Sequence, residues 1–345
     1  MSKLKVTVAQ WIVSYHPAGK TSRESPLNLP GRFGWFLMEI IGPVNLLAIL
    51  YTQLDGDLAA LPTTGSKLAT ALYVLHYANR AVISPFVSAP SMSPIHAFIV
   101  SSAMMFNWFN SVCLAGWVLG FPLDIALGLG SGSGSGSEPG AVLQASTVAQ
   151  AQAQGQGTGQ TWLLGGGLAM FFIGMIGNIY SERTLFRLRR EEGDKQASSS
   201  AGSKGSSSSS SSGGGNEKKK NKYSKVYVIP PKQGVFKTIL YPHFAFEWIE
   251  WLGYALVGTA VFPVGTGSLV ATTAPRITLV PWLVPAARLA QSLQVPLPLP
   301  AMVFVVNAVT NMLPHARWGR KWYVEKFGEE RVGNRGAAVP WCPWL

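Results

Sequence analysis

Six apolar stretches, each long enough or nearly long enough to cross a bilayer, constrain this chain more than any other feature; they fall near 35–53, 68–87, 95–119, 162–180, 244–262 and 299–313. Hydrocarbon offers a backbone no hydrogen-bond partners, so a spanning segment must satisfy its own amides, and a helix does so in about 20 residues. The expected architecture is an all-α, polytopic membrane helix bundle with six apparent spans. The last stretch is the shortest and is interrupted by Pro300. Segment 277–293 is moderately apolar but broken by Pro281 and Pro285, and reads as a luminal loop or interfacial piece.

Composition agrees with lipid rather than water. Hydrophobic residues make up 48% of the chain and charged residues 13%, against about a quarter charged in a soluble domain. The net charge of +12 does not point to nucleic acid, because the bases sit between apolar runs and no nucleic-acid motif accompanies them. Lys20, Arg23 and Arg32 precede the first run, Arg183, Arg187, Arg189 and Arg190 follow the fourth, and Arg320, Lys321, Lys326, Arg331 and Arg335 follow the last. Alternating spans put all three groups on one side, which basic loops mark as cytosolic, and the C-terminus with them. Cys113 and Cys342 are too few for a disulfide framework and lack metal-ligand spacing, so no metal is expected. Stretches 130–160, 196–221 and 263–300 read as insertions, being Gly-Ser and Ala-Gln, Ser-Gly-Lys and Pro-rich respectively. Such compositions bury too little apolar surface to offset chain entropy, and 196–221 is expected to be a disordered cytosolic linker. The alternating Gly155, Gly157 and Gly159 follow no strand and are rejected as a dinucleotide loop.

The functional reading rests on polar side chains inside the apolar runs, where an ionisable group is costly and therefore usually functional. Glu39 lies in WFLMEII (35–41), His76, Tyr77 and Arg80 in LHYANR (75–80), and Glu247 and Glu250 in HFAFEWIEW (243–251). Residues three, four or seven apart share a helix face. That spacing groups Tyr77 with Arg80, Asn107 with Asn110, Glu182 with Arg189, and Glu247 with Glu250 and Tyr254. An acid, a phenol, several amides and a cationic mouth suit a dinucleotide with its phosphates towards the cytosol. On the residues alone, Tyr77 and Glu39 read equally well as a hydrogen bond between helices, and Arg189 as an ordinary cytosolic-side arginine.

The chain resembles the steroid 5-alpha-reductase (3-oxo-5-alpha-steroid 4-dehydrogenase) family in six motifs that keep the family's order. These are LNLPGRFGWFLME (27–39), LHYANR (75–80), GMIGNIYSERTLFRLR (174–189), YVIPPKQGVF (227–236), PHFAFEWIEWLGYAL (242–256) and KWYVEKF (321–327). The basic-then-apolar finish at 335–345 is similar too. The resemblance implies a single reductase domain of the endoplasmic reticulum membrane, with seven helices in the family. It implies NADPH as cofactor and a 3-oxo-Δ4-steroid or related apolar enone lipid as substrate, with no obligatory protein partner. By motif position, Tyr77 donates to the ketone oxygen, and Glu39 holds that oxygen or the phenol. The cofactor positions so implied are Arg80, Asn110, Asn178, Ser181, Glu182, Arg189, His243, Glu247, Trp251, His315 and Tyr323. Arg189 is the phosphate candidate, because guanidinium forks match phosphate oxygens.

Departures from the family pattern bear on the cofactor. His243 stands where the family has asparagine and His315 where it has arginine, which changes geometry and adds pH dependence. Val228 stands where some animal members have arginine. Neighbouring chemistries are an enoyl-CoA or polyprenol-type lipid reductase of the same superfamily, a membrane methyltransferase using S-adenosylmethionine, and a sterol binder without cofactor. Glu39 in its Trp-Phe-Leu-Xaa-Glu motif favours the steroid branch. The family also has a full span before the segment matching 15–29, where this chain has only 6–14. The expectation is a truncated N-terminus, or else six spans with an interfacial N-terminal segment.

Overall fold

The computed structural model describes residues 24–120, 159–203, 221–262 and 299–342. Six long helical elements make up most of them. They are α1 Gly31–Gln53, α2 Thr64–Tyr77 running on as a π-helix over Ala78–Ser88, α3 Ala97–Val118, α4 Gly159–Ser203, α5 Pro242–Val261 and α6 Leu299–Phe327. A short α7, Glu329–Val332, follows. Among the described residues, three helices are long and apolar enough to cross a membrane: α1, α3 and, within α4, Gln160–Ser199. The α-helical part of α2 is only 14 residues long, while α5 and α6 carry Glu247, Glu250 and His315, which lower their mean hydropathy.

The helix starts follow local chemistry. Thr63 Oγ1 caps α2 by accepting from the Ser66 amide at 3.0 Å. Pro242 opens α5 at a position where its missing N–H is no loss. Strands β1 Asn28–Leu29 and β2 Ile95–His96 pair antiparallel, Asn28 opposite His96 and Leu29 opposite Ile95. This two-residue ladder brings the beginnings of α1 and α3 to one end of the bundle, as alternating passage of α1, α2 and α3 requires.

All six helices contribute to one buried cluster: Leu46 and Leu50, Leu72 and Tyr73, Leu114 and Val118, Phe171, Trp251 and Tyr254, and Phe304. The outer faces are apolar as well, with Phe98, Met105, Trp162, Ile176 and Val306 exposed. A surface of that kind belongs against another apolar phase. Helices α4 and α5 approach backbone to backbone because glycine permits it. A Cβ at Gly174 would collide with the main chain of Glu250, and one at Gly253 with that of Phe171.

Two helix ends depart from the sequence reading. Helix α4 continues to Ser203, so 196–203 of the serine-rich stretch is helical rather than linker. Charge pairs such as Arg187 Nε to Glu191 Oε1, 3.7 Å apart and four residues on, support a helix beyond its apolar part. Helix α6 likewise runs past 313 to Phe327 and stops at Gly328, whose φ of 85° suits glycine. The remainder of 196–221, nearly all of 130–160 and 263–300, segment 277–293 and residues 6–14 lie outside the described residues.

Candidate active site

Arg80, near the start of the π-helix, is the centre of a polar cluster and is 7% exposed. Its Nε lies 3.4 Å from Glu39 Oε1 of α1, and its Nη1 lies 3.2 Å from Glu182 Oε1 of α4 and 3.6 Å from Glu247 Oε2 of α5. The guanidinium also stacks 4.6 Å from the Trp35 ring centre. One cation thus faces three carboxylates from three other helices, and buried charges persist only when paired in this way. Asn178 Nδ2 donates to Glu247 Oε2 at 3.2 Å, and Ser84 Oγ donates to Glu182 Oε2 at 2.9 Å.

Tyr77 stands at the edge of this cluster. Its hydroxyl donates to Asn107 Oδ1 at 3.3 Å, while Asn107 Nδ2 donates to the Met38 carbonyl at 2.6 Å. The Met38 bond fixes the amide. The phenol's own bond is long beside the usual O–H···O distance of about 2.7–2.8 Å, so it changes partner at little cost. Glu39 pairs with Arg80, and no hydrogen bond joins it to Tyr77 among the described residues. Behind the phenol, Trp251 packs 4.5 Å from the His76 ring and 6.3 Å from the Tyr77 ring. His76 Nδ1 and Glu250 Oε1 are 2.8 Å apart. Glu250 Oε2, Trp251 Nε1 and the Tyr254 hydroxyl are buried without hydrogen-bond partners among the described residues. Such groups call for a partner such as water or ligand.

The other sequence-derived positions have contacts of their own. His243 and His315 flank Phe244, their rings 4.5 and 5.9 Å from it, and Tyr323 lies 6.1 Å from Tyr241. The Tyr323 hydroxyl donates to the Val228 carbonyl at 3.3 Å. Ser181 is bonded within its own helix, to the Gly177 carbonyl at 2.6 Å. Asn110 lies against Tyr73. Arg189 donates through Nε to Val226 at 3.2 Å, through Nη1 to the Ser91 carbonyl at 3.3 Å, and through Nη2 to Ser91 Oγ at 2.7 Å and to Tyr223 at 3.4 Å. It therefore ties the turn after the π-helix to the segment leading into YVIP.

Sequence reasoning gave no role in the site to Trp35 or Ser84, placed Asn107 only on the face it shares with Asn110, and read Arg335 only as part of the basic finish. Asn107 is legible as an amide inside an apolar run and Trp35 as the first residue of the Trp-Phe-Leu-Xaa-Glu motif, whereas Ser84 carries no such signal. Arg335 belongs to the basic-then-apolar finish. It is 3% exposed and donates to the carbonyls of Pro230 at 2.7 Å and Val332 at 3.0 Å. Burial pulls its guanidinium pKa down.

The sequence model of the 3-oxo-5-alpha-steroid 4-dehydrogenase family matches residues 209–270, which include YVIP and all of α5. The chain is 24% identical to the steroid 5-alpha-reductase DET2 of Arabidopsis thaliana over 89% of its own length and 79% of that protein. It is 24% identical to DET2 of Solanum lycopersicum over 94% of its own length and 86% of that protein. An uncharacterized protein of Schizosaccharomyces pombe, C9.08c, is 24% identical over 94% of this chain and 90% of its own.

Proposed function

We propose that this chain is a member of the steroid 5-alpha-reductase family, to which it is similar in sequence, and that it uses NADPH to saturate the carbon–carbon double bond of a 3-oxo-Δ4-steroid or related enone lipid. The observation that carries this reading is the meeting of Glu39, Arg80, Asn178, Glu182 and Glu247, from four helices, beside the Tyr77 phenol in an apolar interior. The six long helices each cross the endoplasmic reticulum membrane, with basic loops and C-terminus cytosolic. One reductase domain is interrupted by insertions at 130–160, 196–221 and 263–300.

The residues present fit a nicotinamide dinucleotide. Three carboxylates share the one Arg80 cation, so their oxygens can accept from the ribose hydroxyls and the nicotinamide carboxamide of a bound dinucleotide, and Glu250, Trp251 and Tyr254 keep buried polar atoms unpaired among the described residues. When bound, NADPH would supply the hydride that adds at the carbon β to the ketone, and a proton taken up from the medium at the α carbon would complete the saturation. Arg80 holds Glu39, Glu182 and Glu247 in place, and Asn178 orients Glu247. Tyr77 exchanges its long bond to Asn107 for one to the ketone oxygen and stabilises the enolate charge as it develops there, the kind of preorganised donation that usually contributes most to catalysis. Glu39, anchored by Arg80, assists the phenol. Trp251 closes the site to water. Asn110 and Ser181 support the α3 and α4 walls, while Arg189, His243, His315 and Tyr323 order the loops at the phosphate end.

Membranes carrying the chain, incubated with a 3-oxo-Δ4-steroid and NADPH labelled in its transferable hydrogen, are expected to yield labelled 5-alpha-reduced steroid. Label arriving from S-adenosylmethionine, or only on an enoyl-CoA or polyprenol-type acceptor, refutes the steroid reading.

A further inference from the structure

In a π-helix each N–H bonds the carbonyl five residues back. Pro85 has no N–H, so the ladder over Ala78–Ser88 supplies no donor from position 85 to the Arg80 carbonyl. That carbonyl accepts instead from the Trp35 indole Nε1 at 3.1 Å. The same indole ring lies 4.6 Å from the Arg80 guanidinium carbon. Helix α1 therefore grips one residue twice, its main chain by a hydrogen bond and its side chain by cation–π stacking.

Four residues on, Ser84 Oγ donates to Glu182 Oε2 at 2.9 Å while Arg80 Nη1 donates to Oε1 at 3.2 Å. Both oxygens of one carboxylate are thus held from a single π-helical turn, which fixes its plane as well as its position. The chain beyond is clamped by arginines: Arg190 on the Ser88 carbonyl, Arg32 on that of Ala89 at 2.8 Å, and Arg189 on that of Ser91 at 3.3 Å. Rewinding the turn would break these bonds together.

We propose that Trp35 and Ser84 are positioning residues that hold Arg80 and Glu182 as one fixed ion pair for the cofactor. The inference rests on the reductase reading, in which Arg80 and Glu182 meet NADPH; Trp35 and Ser84 act through them. The test is NADPH binding to full-length protein purified in detergent, read by fluorescence of the bound dihydronicotinamide, with kcat, KM and melting temperature measured alongside. Ser84→Ala is expected to weaken NADPH about tenfold, the order of one hydrogen bond to a charged group, and to raise KM for NADPH more than it lowers kcat. Ser84→Thr keeps the hydroxyl and restores binding. Trp35→Phe keeps a ring and loses the donor, with a loss of similar size. Adding Pro85→Ala gives position 85 an N–H for the Arg80 carbonyl and recovers binding in the double variant.

A Ser84→Ala protein that binds NADPH as wild type does, or a Ser84→Thr protein no better than Ser84→Ala, overturns the proposal. So does loss of binding that merely tracks loss of melting temperature. A double variant no better than Trp35→Phe overturns the assignment of Trp35. Wild-type protein that binds no NADPH overturns the reductase reading and this inference with it, whereas unaffected variants of a binding wild type overturn the inference alone.

Discussion

Gly174→Ala tests whether the cofactor site depends on backbone contact between α4 and α5. The added Cβ stands 2.6 Å from Glu250 Cα and 2.6 Å from the Phe246 carbonyl oxygen. Both are main-chain atoms inside a helix, so no side chain can swing away to make room. Carbon contacts relax at about 3.5 Å, and reaching that separation moves the helices apart by about 1 Å. Asn178, one turn along α4, then lies about 4 Å from Glu247 Oε2 instead of 3.2 Å, beyond hydrogen-bond range. Overpacking costs about 1–3 kcal/mol of stability, and a lost bond to a charged acceptor about 1.5–3 kcal/mol. NADPH affinity is therefore expected to fall by about tenfold or more. Gly166→Ala is the control, because it lies on the same helix with open space where its Cβ would stand. That change is expected to add about 0.5–1 kcal/mol of helix stability. The assay is an NADPH fluorescence titration with melting temperature for both variants. If Gly174→Ala binds NADPH as Gly166→Ala does, close approach of these helices does not position Glu247 and the reasoning fails.

Glu39→Gln and Tyr77→Phe are each expected to lower enone reduction by orders of magnitude at similar protein abundance; an unchanged single-turnover rate removes that residue from the chemistry. Arg189→Lys gives up a fork that reaches Ser91, Tyr223 and Val226 at once. Limited proteolysis should then cut within 88–94 or 221–228 sooner than in wild type, and an unchanged cleavage pattern refutes the tie. Replacing 204–220 with a few glycines and serines should preserve activity, because loop-closure cost changes slowly with length. A folded shortened protein without NADPH binding would show that the stretch contributes directly.

Apolar runs are legible because lipid forces the backbone to satisfy itself, and each of the six runs lies on a helix. Glu39, Arg80 and Glu247 are legible for the opposite reason, as polar groups where polarity is costly, whereas Asn178 enters only through the resemblance and Glu182 by its spacing to Arg189 just past the fourth run. Partner choice is not. Glu247 and Glu250 share a face by spacing, yet Glu247 meets Arg80 while Glu250 meets His76. The rotation of α5 that separates them is set by glycine contacts with α4, a helix distant in sequence. The winding of 78–88 is hidden for another reason: Pro85 is its one local sign, and Ser84 becomes a partner of Glu182 only through that winding.

Arg189 shows where residue type alone does not assign a role. In the proposed reading its guanidinium would serve as a phosphate fork, but its worth as a fork depends on which donors remain unengaged. Of the five N–H groups an arginine carries, main-chain carbonyls and Ser91 Oγ already take four. A phosphate bound at this point gains one N–H from Arg189 rather than a bidentate contact. Its attraction must then come from the summed field of Arg183, Arg187, Arg189 and Arg190, which falls with ionic strength as a matched fork would not. The salt dependence of NADPH affinity separates the two: a steep fall between low and physiological salt is expected, and a flat profile would return Arg189 to the phosphate.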